Sequence, residues 1–211
     1  VVTGSTALSI DVTDRSADAV LPYLIVLVGL SMLLLLLVFR SLLVPVKAAL
    51  GFLLTVGASY GMLVGVFQRG WLESLGIQPP GQIMSLLPLV IVGIAFGLAM
   101  DYEFFVVTRM REAYVHTGEA KPAVVTGFAQ SARVVAAAAT IMIAVFGAFG
   151  LLNDAIEIAQ LGVALAVAIA VDAFVVRMTI VPAVLALAGN RAWWLPRWLD
   201  HILPDVDVEG T

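Results

Sequence analysis

Five stretches of this 211-residue sequence are each apolar for long enough to cross a hydrocarbon core, which takes about 20 residues of helix. They fall at approximately residues 21–39, 43–67, 83–107, 134–152 and 158–187. No other feature limits the fold as sharply. Backbone placed in lipid must satisfy its own hydrogen bonds, and a helix does so within one segment. Composition agrees: the chain is 62% hydrophobic and 12% charged, where soluble domains are roughly 45–50% apolar and about 25% charged. The sequence therefore predicts an all-α membrane protein, a five-helix transmembrane bundle spanning 19–190.

Charge placement predicts the orientation. Arg40, Lys47, Arg109, Arg111, Lys121, Arg133, Arg191 and Arg197 fall on one side, Arg15 and Arg69 on the other, and Arg177 inside the last span. Eight against two puts the first group in the cytoplasm. The N-terminus is then extracytoplasmic and the C-terminus cytoplasmic. An outside start without a signal peptide leads to the expectation of at least one earlier span. In residues 1–18, "TALSIDV" alternates like a strand and reads as the end of an extracytoplasmic domain. "RSLLVP", with Arg40 and Pro45, reads as a tight helical hairpin, and Pro88 falls inside the third predicted span. Residues 108–131 read as two short amphipathic helices broken at Gly118 and Pro122. In 191–211, Trp193, Trp194 and Trp198 with Arg191 and Arg197 suggest an interfacial helix before a cytoplasmic tail.

Small residues recur at every fourth position, a spacing that lets membrane helices approach closely. Gly57, Gly61 and Gly65 form one such stripe, Gly93 and Gly97 a second, Ala164 and Ala168 a third. Asp101 continues the second and Asp172 the third, so both carboxylates are expected to face the bundle. Asp101 has too short a stem to snorkel to water, and an ionisable group at such depth is by default functional. Tyr102 points about 100° further round the helix and has a hydroxyl able to donate to a carboxylate on a neighbouring helix. Glu103 faces away from Asp101, and its reading is divided between a supporting role and a pair with a basic residue such as Arg109. Asp172 and Arg177 read as a structural ion pair, with Asp172 as a second titrating acid the lesser reading.

Several function classes are excluded or unsupported. There are no cysteines, hence no disulfide or thiolate metal site, and His116 and His201 have no ligand company. No metal or cofactor is expected. No G-x-x-x-x-G-K-[ST] or G-x-S-x-G pattern occurs, and nothing points to nucleic acid as a partner. Work done by such a chain draws most economically on an ion gradient, worth about 2.3 kcal/mol per charge across 100 mV.

Three blocks together, "GIAFGLAMDYEFFVVTRMREAY", "GFAQSARVVAAAATIMIAVFGAF" and "VALAVAIAVDAFVVRMTIVPAVLALAG", resemble the MMPL (mycobacterial membrane protein large) family of the resistance–nodulation–division superfamily. The resemblance implies the last five helices of a twelve-helix transporter in a bacterial inner membrane. It also implies Asp101 and Tyr102 as one half's proton relay, and a matching Asp-Tyr helix in the missing N-terminal half as partner. Membrane lipids would surround it, and a lipid or lipid-like envelope component would be exported against proton entry. Two alternatives stay open: a lipid- or sterol-sensing relative that does not pump, and, more remotely, an intramembrane aspartyl protease using Asp101 and Asp172.

Overall fold

The computed structural model describes residues 5–73, 83–153, 155–196 and 199. Among these residues every regular element is helical. Helix α1 runs Ser5–Phe39, α2 Leu43–Phe67, α3 Leu87–Thr117, α4 Ala120–Leu152 and α5 Ile156–Ala170. A π-helical segment, Val171–Ile180, carries α5 without a break into α6, Val181–Ala188, and a short 3₁₀ turn, Gly189–Trp193, follows. Five helical stretches are long and apolar enough to cross a membrane, the first within Asp18–Phe39 and the last spanning Ile156–Trp193.

The structure corrects four expectations. The stretch "TALSIDV" is helical rather than strand-like, because α1 already begins at Ser5. No described strand pairs with it, and extending a helix already nucleated costs little. Pro88 does not interrupt the third span. The helix starts at Leu87 with Pro88 in its first turn, where a missing N–H is no loss. Residues 108–131 are not separate short helices either. They are the ends of α3 and α4, meeting at Gly118, whose positive φ of 70° closes the turn with its N–H on the Tyr114 carbonyl at 2.8 Å. At 31 and 33 residues these helices are about 47 and 50 Å long and project past a core of about 30 Å.

The fourth correction concerns the C-terminal tryptophans. Trp193 is buried, stacked on Tyr114 with ring centres 5.5 Å apart and with the Arg111 guanidinium 5.3 Å from its ring centre. Arg111 also donates to the Phe39 carbonyl at 2.9 Å, and Ser41 donates to that of Ala192. The segment is thus packed onto the ends of α1 and α3 through Ala192 and Trp193, while Arg191 and Trp194 are exposed. Arg197, Trp198, His201 and the predicted tail lie outside the described residues.

Three apolar layers stack along the bundle. One end holds Phe39, Val44, Val107, Met110, Val135 and Leu185; the middle holds Phe52, Val56, Val92 and Ala168; the far end holds Leu63, Phe67, Leu87 and Ile91. Helix α4 packs along α5 and α3, α2 against α5, and α1 lies on α2 and α3. The α4–α5 contact is backbone on backbone: a Cβ at Gly162 would strike Gly150 and the Phe146 carbonyl. By contrast, much of α1 presents Leu21, Ile25, Val26, Leu30 and Leu33 outward, as a lipid-facing helix does.

Candidate functional site

Two neighbouring faces of α3 organise the polar interior. Positions 95, 99 and 103 repeat at four-residue spacing, and Ala95, Ala99 and Glu103 are all buried against the bundle. Asp101 lies two residues before Glu103, about 200° away around the helix. It continues the other stripe, in which Gly93 meets the Tyr23 hydroxyl of α1. The small-residue stripe therefore aims Asp101 toward the α1 side, while the alanine stripe aims Glu103 inward. The expectation that Asp101 is buried in the bundle is corrected on this geometry, since within this chain it is exposed.

Glu103 is the centre of a buried four-charge cluster. Its Oε1 accepts from the Lys47 ammonium of α2, and its Oε2 from Arg177 Nη1 at 3.4 Å. Arg177 Nε donates to Asp172 Oδ2 at 2.6 Å and Nη2 to Oδ1 at 3.3 Å, and Nη2 also caps the Ala99 carbonyl. Two cations and two anions make the group neutral, and all four side chains are nearly or fully inaccessible. Desolvating each ion costs several kcal/mol, a cost that the matching of every charge in this arrangement offsets. The pairing of Asp172 with Arg177 depends on the π segment. Backbone bonds from i to i+5 bring residues five apart nearly above one another, where an α-helix would turn them to different faces.

Tyr102 joins the two faces. Its ring lies 5.9 Å from the Arg177 guanidinium, and its hydroxyl donates to the Met142 thioether of α4 at 3.3 Å, a weak acceptor. Asp101 itself has no hydrogen-bond or ion-pair partner among the described residues. It borders a groove of about 250 Å³ between α1 and α3, with Leu30, Leu34, Phe96, Met100 and Phe104. Asp101 and Asp172 do not share a site: Asp172 borders a separate, small cavity with Tyr102 and Thr55.

The other residues singled out from sequence are distributed unevenly. Ala164 and Ala168 are buried at the α2 contact, where the Ser59 hydroxyl donates to the Ala164 carbonyl at 2.8 Å. Gly65 lies against Trp71 and Gly93 against Tyr23. Among the described residues, Gly57, Gly61 and Gly97 have no neighbour within 4 Å of a Cβ position, so they form no packing seam there. The backbone-to-backbone approaches fall at Gly127, against Met110 of α3, and at Gly150 and Gly162 between α4 and α5. Glu103 does not pair with Arg109, which bonds Glu112 at 3.1 Å on the exposed end of α3. His116 is exposed, and no group of acids and histidines among the described residues could hold a metal.

Lys47 was missed as a site residue. It read as one of the eight cations of the predicted cytoplasmic side, but it is buried within α2, leaving seven against two in that count. The signal available was the alanine stripe ending in Glu103, which requires a buried cation opposite.

The model of the MMPL family matches residues 1–203. This chain belongs to the MMPL family. It is 49% identical to the Bacillus subtilis "Membrane protein YdfJ" over 210 residues, 99% of this chain and 29% of that protein. Similarity to the Mycolicibacterium smegmatis "Mycolic acid-containing lipids exporter MmpL11" reaches 48% over 209 residues, 99% of this chain and 22% of the relative. The Mycobacterium tuberculosis "Heme uptake protein MmpL11" is 47% identical over 209 residues, again 99% of this chain and 21% of the relative. The chain thus spans less than a third of the length of these MMPL relatives. It is a multi-pass membrane protein of a transporter family.

Proposed function

We propose that this chain is the C-terminal transmembrane part of a proton-motive-force-driven exporter of lipids or lipid-like envelope components. Asp101 takes up and releases the proton, and Tyr102 hydrogen-bonds beside it. The observation that carries this reading is the solitary state of Asp101. Every other intramembrane acid of α3 and the π segment is matched to a cation. Asp101 alone stands outward at membrane depth, where contact with acyl chains would cost several kcal/mol. A carboxylate in that position calls for a polar surface over it, and a matching Asp-Tyr helix in the rest of the protein supplies one. Export of lipids follows from the name of the smegmatis relative and remains part of the proposal, since a second relative is named for heme uptake. An orientation with the cation-rich ends of α3 and α4 in the cytoplasm of a bacterial inner membrane completes it.

Replacement of Asp101 by Asn in the complete protein, reconstituted in vesicles with an imposed proton gradient, tests the reading. The variant is expected to insert normally and lose proton-coupled lipid transport by more than tenfold. Undiminished transport overturns the proposal. Lipid binding with no transport in either form favours the sensor.

A further inference from the structure

We propose that Thr55 and Asp172 hold one water molecule in the cavity beside Tyr102, and that this water extends the proton path of the proposed exporter to the Asp172 carboxylate. The inference rests on that exporter reading for its role, but not for the existence of the site.

The cavity measures about 10 Å³, the space one water needs. Its walls are Thr55 of α2, Leu98 and Tyr102 of α3, and Ala168, Ile169 and Asp172 of the last span. Thr55 is 1% exposed, and its hydroxyl has no partner among the described residues. That is unusual, because a threonine inside a helix ordinarily back-bonds to the carbonyl four residues earlier. A residue with a buried, unpartnered hydroxyl and a residue with a carboxylate thus border one water-sized space, a donor and an acceptor that a single water can bridge. Asp172 has acceptor capacity to spare: Arg177 fills one position on each oxygen, and a carboxylate offers about four in all.

A water here accepts from Thr55 Oγ1–H and donates to Asp172. A proton arriving from the Tyr102 side converts it to hydronium. The hydronium then passes a proton along its bond to the carboxylate, breaking one O–H bond at the water as one forms on Asp172. Water is regenerated and Arg177 keeps its protons. The charged groups around this acceptor are Arg177 on its own segment, Glu103 on α3 and Lys47 on α2. Thr55 touches no substrate and acts through the water, as a positioning residue.

The test compares Thr55→Val and Thr55→Ser in the complete transporter. The readouts are thermal midpoint and proton-coupled flux in H₂O and D₂O. Valine keeps the volume and deletes the hydroxyl. With a water present, Thr55→Val lowers the midpoint, cuts flux several-fold and alters the solvent isotope effect, while Thr55→Ser restores all three. A dry site gives the opposite sign, since removing an orphaned hydroxyl raises the midpoint; that result, with unchanged flux and isotope effect, overturns the proposal. A flux loss with an unchanged isotope effect and no rescue by serine marks a packing role and also overturns it. Where the valine variant fails to insert, Thr55→Ala is read against the same outcomes. The thermal midpoint reports on the water even if Asp101→Asn transports normally, so failure of the exporter reading is distinguishable from failure of the site.

Discussion

Glu103 and Asp101 are two residues apart on one helix and live in opposite surroundings. Glu103 is 2% exposed and held by Lys47 and Arg177, whereas Asp101 is exposed and has no partner among the described residues. The difference shows that rotation alone gives one stretch of helix two surroundings. A charge locked between opposite charges fixes how α2, α3 and the π segment meet. Asp101 has no such fixed cation among the described residues, which is why the proposed carrier role falls to it and not to Glu103.

If that division is right, the largest effect comes from breaking the cluster at its hub. Arg177→Ala leaves Asp172 without a cation and Glu103 with Lys47 alone. It should cost about 3–5 kcal/mol, read as loss of folded, detergent-stable protein. A wild-type thermal profile for that variant would abolish the contrast. Next in size is the α4–α5 seam. Gly162→Ala forces a methyl into the Gly150 and Phe146 backbone and should destabilise by about 1–3 kcal/mol. The same change at Gly57, which meets nothing among the described residues within 4 Å, should shift stability by about 0.5 kcal/mol or less. Equal effects at the two glycines would contradict the packing described. The third prediction sharpens the charge argument. Lys47→Met strands Glu103 with one cation, and adding Glu103→Gln to it should recover part of the lost stability, with a coupling of about 0.5–3 kcal/mol in a double-mutant cycle. Strict additivity would mean that the two side chains do not interact.

How much of this was legible in the sequence varies with how local the cause is. The five spans follow from hydropathy, a property of each segment alone, and α2 keeps the bounds read from it, Leu43–Phe67. Pro88 was misplaced because proline is equally at home in a first turn and in a kink, and only the helix start decides. The spacing of Asp172 and Arg177 suggested a pair, yet five residues suit a π-helix better than an α-helix, and no residue pattern announced one. Lys47 lies four residues into its helix, where a lysine ordinarily snorkels outward. Its burial is set by Glu103 on another helix, whose alanine stripe calls for a buried cation without saying which one. Asp101 was assigned inward from its glycine stripe. That stripe exists, but it runs along the α1 side, and sequence periodicity gives a face without saying what the face meets.

The proposed role of Asp101 as a proton carrier is tested most directly by infrared difference spectroscopy on the complete, membrane-embedded protein, with Asp101→Asn as reference. On acidifying the proton-entry side, the account predicts a protonated-carboxyl band in the wild type that the asparagine variant lacks and that reverses when the gradient is removed. The absence of such a band at every pH that preserves the fold, with Asp101 ionised throughout, would contradict it.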